Sequence, residues 1–137
     1  MKIVRNILAL IAGVVVGSFV NMGIIQISGA IIPPPEGVDN TTMEGLKASM
    51  HLLEPKHFIL PFFAHALGTM IGAIVTALIV VNHKMKFAMA IGIIFLILGI
   101  TTVFLIPAPT WFSITDVIGA YLPFAWFGGL LAQKKRT

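Results

Sequence analysis

Residues 87–106 read FAMAIGIIFLILGITTVFLI. No charge and no proline interrupts these 20 residues. A helix needs roughly 20 residues to cross a hydrocarbon core about 30 Å thick. Water has no means of solvating such a stretch on all sides, so its solvent is lipid. The run stops at Pro107-Ala108-Pro109, which cannot continue a helix.

Working outward, three more runs have the same character. They cover about 7–32, 58–81 and 114–131. The first ends at Pro33-Pro34-Pro35. The intervening loops, 33–57, 82–86 and 107–113, are 25, 5 and 7 residues long. Short loops force neighbouring helices to run antiparallel. The expected fold is therefore an all-α integral membrane protein, a four-transmembrane-helix antiparallel bundle forming one domain over 1–137.

Composition agrees. The chain is 58% hydrophobic and only 10% charged, where a soluble domain carries about 25% charge. Its net charge of +4 does not point to nucleic acid, because the basic residues flank apolar segments. Lys2, Arg5, Lys84, Lys86, Lys134, Lys135 and Arg136 fall on one side of the expected bundle, and only Lys47 and Lys56 on the other. By the positive-inside rule this predicts both termini in the cytoplasm, N-in and C-in, in a prokaryotic inner membrane. A competing reading makes residues 1–30 a signal peptide, but the apolar stretch is long for one. There is no Cys, so disulfides and thiol chemistry are excluded.

The outer loop carries its own pattern. Met43, Leu46, Met50 and Leu53 fall on one helical stripe, and Thr41-Thr42-Met43-Glu44 has capping-box spacing. A short amphipathic helix over about 42–53 is expected to lie on the outer surface or cap the bundle. His51, Glu54 and His57 are weak metal candidates. Glu54-Pro55-Lys56-His57 has Glu-x-x-His spacing but lacks the second copy that bundle metal sites use.

Small residues mark where helices touch, because lipid supplies no hydrophobic drive between them. Gly13, Gly17, Asn21 and Ser28 share a face of the first helix, and His65, Gly68, Thr69, Gly72 and Thr76 a face of the second. The two stripes are expected to meet. Pro123 predicts a kink in the fourth helix, since it leaves the carbonyl of Gly119 without a donor.

Polar groups at membrane depth carry the functional signal, because each is costly there. At about 1.5 Å per residue, Asp116, Thr101, Gln26, His65 and Tyr121 lie about 5–12 Å below the outer helix ends, and Asn21 about 16 Å. The inner half is Ile, Val, Leu, Phe and Ala. This asymmetry predicts a polar pocket opening outward, with His65, Asp116, Tyr121, Gln26, Asn21 and Thr101 as candidate ligand-binding residues. Asp116 has a plainer reading as part of an N-cap, Ser113-Ile114-Thr115-Asp116, and His65 as a structural histidine.

Three function classes follow. One is a site that binds or helps transport a small solute, ion or lipid head group. Another is an accessory subunit docking a membrane partner or a second copy of itself. The third is a membrane enzyme using His65 and Asp116 as acid and base. No nucleophile motif, phosphate loop or dinucleotide fingerprint appears, and no cofactor is implied. The absence of cysteine offers a direct test of orientation. A single cysteine in place of Thr41 should react with a membrane-impermeant maleimide on intact cells. One in place of His83 should react only after the membrane is opened. The reverse pattern would overturn the N-in, C-in assignment.

Overall fold

The computed structural model describes residues 1–134, Lys134 through its backbone alone. Lys135 and Arg136, counted above among the inner basic residues, lie outside the described residues. The described chain is helical with no strand. Its helices are α1 (Lys2–Ile31), α2 (Met43–Ser49), α3 (Ile59–Ile79), α4 (Lys84–Leu105), α5 (Thr110–Gly119) and α6 (Leu122–Lys134). Short 3-10 turns over Met50–Leu52 and Pro55–Phe58 lead into α3. Four helical stretches are long and apolar enough to cross a membrane, namely α1, α3 with its preceding turn, α4, and the α5–α6 pair.

Helix α3 is the centre, touching α1, α4 and α6. Against α1 it packs backbone to backbone. A Cβ added at Gly72 would stand 2.6 Å from the carbonyl oxygen of Gly13, and one at Gly17 2.6 Å from that of Gly68. Thr76 donates its hydroxyl to the carbonyl of Ala9 at 2.9 Å. The pairs 9/76, 13/72 and 17/68 run in opposite senses, so α1 and α3 are antiparallel. The two small-residue stripes therefore meet. Close approach of this kind maximises dispersion where no hydrophobic effect operates.

Helix boundaries extend past the apolar runs. α1 begins at Lys2 rather than near residue 7, and α4 at Lys84 rather than 87. Backbone hydrogen bonding continues into the interface, and long basic side chains reach back. Arg5 Nε donates to the carbonyl of Ile79 at 2.5 Å, and Lys84 Nζ donates to that of Ala77. Both cations thus sit on the negative C-terminal end of α3. The α3–α4 connection turns on His83, whose left-handed φ of 57° closes it tightly.

The fourth span departs most from expectation. It breaks rather than kinks. α5 ends at Gly119, and α6 restarts at Leu122, placing Pro123 in a first turn where its missing N–H costs nothing. Its start is also earlier than expected. Helix α5 begins at Thr110 after Pro109, whose φ of −56° already suits a helix. Ser113 is therefore an interior residue and not an N-cap. Asp116 is freed from any capping role.

In the 33–57 segment the amphipathic stripe is partly realised. Thr42 caps α2 by accepting from Gly45 N at 2.9 Å. Leu46, Met50 and Leu53 pack with the Phe58–Phe112 cluster, while Met43 stays exposed. Asp39 accepts the hydroxyl and amide of Thr41, and these bonds hold its carboxyl below the usual carboxylate range. His57 spends both ring nitrogens on the fold. Nδ1 accepts from Glu54 N at 2.9 Å and Nε2 donates to the carbonyl of Pro33 at 3.1 Å. Glu54 pairs with Lys56 at 3.4 Å, and His51 is exposed. Among the described residues no three such side chains cluster around a metal position.

The helix contacts make a sharp stability prediction. Gly72→Val forces a side chain against the Gly13 carbonyl and should destabilise the fold by about 1–3 kcal/mol. Gly23→Ala meets nothing within 4 Å and should leave the fold as stable or more stable, by up to about 1 kcal/mol, through helix propensity. Unfolding in mixed detergent measures both.

Candidate functional site

The polar centre forms where α3 passes the α5–α6 break. His65 Nδ1 lies 2.7 Å from Asp116 Oδ1 and 2.9 Å from Oδ2. The Tyr121 hydroxyl donates to Asp116 Oδ2 at 3.1 Å. The Asp116 side chain is only 7% exposed, and His65 is 22% exposed. The His65 and Tyr121 rings stack with centroids 5.8 Å apart and planes 21° apart.

Local backbone choices create this arrangement. Tyr121 occupies the break between α5 and α6, so its side chain turns back to a residue five earlier instead of continuing a helical face. Gly99 on α4 makes room for it, since a Cβ there would collide with the Tyr121 hydroxyl and lie 2.5 Å from Cζ. On α3, Thr69 donates to the carbonyl of His65 at 2.7 Å and fills the turn behind it.

The chemistry follows from donor and acceptor roles. An ionised carboxylate only accepts, so Nδ1 of His65 carries the hydrogen directed at Asp116. In the neutral ring this leaves Nε2 with a free lone pair. Among the described residues no protein partner takes it up. The carboxylate is held by two donors, which is what a buried charge requires.

A cavity of about 150 Å³ lies beside His65. Ser18 and Asn21 of α1 line one side, Gly68 and Thr69 of α3 another. Phe95, Leu98, Gly99 and Thr102 of α4 border it with Tyr121, and the cavity stays partly open where Ser18, Leu98 and Thr102 are exposed. The Asn21 Oδ1 is buried without a hydrogen-bond partner. At the opposite end of the helices, a broader depression of about 450 Å³ carries Asn82, His83, Lys86 and Gln133.

The sequence-predicted residues divide cleanly. His65, Asp116 and Tyr121 come together, and Asn21 shares the cavity with two of them. Gln26 is exposed on α1 and does not reach it. Thr101 is likewise exposed, with its hydroxyl bonded to Ile97 O at 2.8 Å. One residue along a helix is a turn of about 100°, so Thr102 lines the cavity and Thr101 does not. Ser18, Phe95 and Gly99 escaped the sequence reading. The seven-residue spacing of Gly92 and Gly99 was a usable signal, because both are buried in α4's packed face.

The network predicts a graded response to substitution. Tyr121→Phe removes one donor to a buried carboxylate while keeping the ring, and should cost about 1–3 kcal/mol. Thr115→Ala touches only an exposed hydroxyl bonded to Trp111 O and should stay within about 0.5 kcal/mol. Equal effects in an unfolding titration would contradict the account. Compared with known proteins, the chain matches no family model, no curated protein and no solved structure.

Proposed function

We propose that this chain is a small polytopic membrane protein whose polar cavity opens to the outer side and binds, or helps transport, a small solute, ion or lipid head group. The supporting observation is the His65–Asp116–Tyr121 network beside the cavity, with His65 Nε2 unspent. His65 lines the cavity, and its second ring nitrogen has no partner among the described residues, so it is available to a ligand. On this reading the bundle sits in a prokaryotic inner membrane with both termini cytoplasmic. The basic residues at the α3–α4 turn then face inward, and α2 covers the outer end.

A second reading is an accessory subunit or homo-oligomer. Gly23 and Gly29 of α1 favour it, because none of the described residues approaches within 4 Å of where their Cβ atoms would be. Small residues with no partner suit a helix from another molecule. The acid–base reading draws on the 2.7 Å His65–Asp116 contact, within reach for general catalysis.

Replacing His65 with Ala separates these readings. The protein is placed in lipid nanodiscs and its thermal unfolding followed with a panel of amines, sugars, amino acids, inorganic anions and short-chain lipids. The pocket reading expects at least one compound to stabilise wild type and not the variant, while helicity and oligomeric size are unchanged. It fails if the variant loses its fold, or if every stabiliser acts equally on both proteins.

A further inference from the structure

The direction of the hydrogen bonds around the cavity narrows what it can hold. Three lining side chains have already committed their hydroxyl hydrogens to the protein. Thr69 donates to His65 O, Thr102 to Leu98 O, and Tyr121 to Asp116 Oδ2. Their oxygens retain lone pairs alone. His65 Nε2 is also an acceptor while Nδ1–H is held by Asp116. Only the Ser18 hydroxyl and the Asn21 amide remain as uncommitted donors.

Charge adds a second, independent constraint. Asp116 lies directly behind His65, and among the described residues no Lys or Arg lines the cavity. The site is therefore negative when His65 is neutral and neutral when His65 is protonated. An anion would meet lone pairs backed by a carboxylate in a medium of low dielectric, where repulsion is strong.

We infer that the cavity is a site for an ammonium-type cation, either free ammonium or the head of a small primary amine. This rests on the pocket reading given above. Such a cation presents N–H donors on every side and matches a wall of acceptors. Alkali ions instead seek a shell of several oxygens, and a histidine nitrogen serves them poorly. Phe95 also borders the cavity, and a cation that met its ring face would be attracted there. At about 30 Å³ per water, the cavity of about 150 Å³ has room for an ammonium ion with a short alkyl tail.

Proton competition follows from the same geometry. The groups facing His65 are Asp116 from α5 and Tyr121 from the break. The lining side chains of α1 and α4 are neutral. Protonating His65 turns Nε2 from acceptor to donor and cancels the Asp116 charge. Acid should therefore expel the cation.

The test uses the full chain in nanodiscs. Ammonium or methylammonium chloride should raise the unfolding temperature saturably, and less in acid, because a protonated ring donates at both nitrogens. Sodium and potassium chloride at equal ionic strength should not. Asp116→Asn should weaken methylammonium binding by about 30-fold or more, the usual loss when a buried charge partner is removed. Because that substitution disturbs a buried network, a wild-type readout stands beside it. The ¹⁵N resonance of His65 Nε2, assigned by its absence in His65→Gln, should move with methylammonium and not with sodium. Equal shifts from sodium overturn the assignment. A sugar, neutral amide or anion that stabilises the protein when ammonium does not also overturns it, leaving the pocket reading intact. If nothing in the wider panel binds, both fall.

Discussion

A carboxylate cannot stand alone among hydrocarbon chains, and much of this bundle is arranged around that fact. Asp116 is buried, and its charge is met by His65 from α3 and Tyr121 from the α5–α6 break. Each partner demands a particular backbone. His65 must face the fourth span, which fixes the rotation of α3. Tyr121 must turn back toward α5, which requires the helix to break.

The rotation of α3 is in turn held from the other side. Gly68 and Gly72 lie against the backbone of α1, and Thr76 bonds to Ala9. These contacts occupy the face next to His65, so the α1 interface and the polar centre are two consequences of one helix orientation. The same face supplies Gly68 and Thr69 to the cavity wall. Packing by small residues leaves room beside the glycines, and polar side chains of α1 border that room. Stability and site geometry therefore share their residues, and a change that loosens the α1–α3 contact reaches His65.

Particular residues show how far the sequence could be read. The four spans were legible because transfer to lipid is a sum over residues, which needs no knowledge of neighbours. The stripes of α1 and α3 were legible because a helix repeats every 3.6 residues. Helix ends were not. Hydropathy placed the start of α1 near residue 7, whereas the helix starts at Lys2, because Arg5 reaches the end of α3 through a long side chain. Ser113 had the local pattern of a cap, but Pro109 starts α5 earlier and removes that role. Gln26 and Thr101 had suitable depth, yet depth says nothing about azimuth around a helix axis, and both face outward.

By itself the sequence determined the lipid-compatible surface of this protein, its helical character and the set of polar groups lying within its apolar spans. Those are properties of composition and local spacing, and lipid enforces them residue by residue. Only the tertiary structure decided which polar groups meet. His65 and Asp116 are 51 positions apart, and nothing local to either encodes the other. Their pairing depends on how α3 packs against the fourth span, where Gly128 lies against the Met70 carbonyl, and on the direction in which the break before Pro123 aims Tyr121. These are relations between helices, and they exist only once the helices are packed.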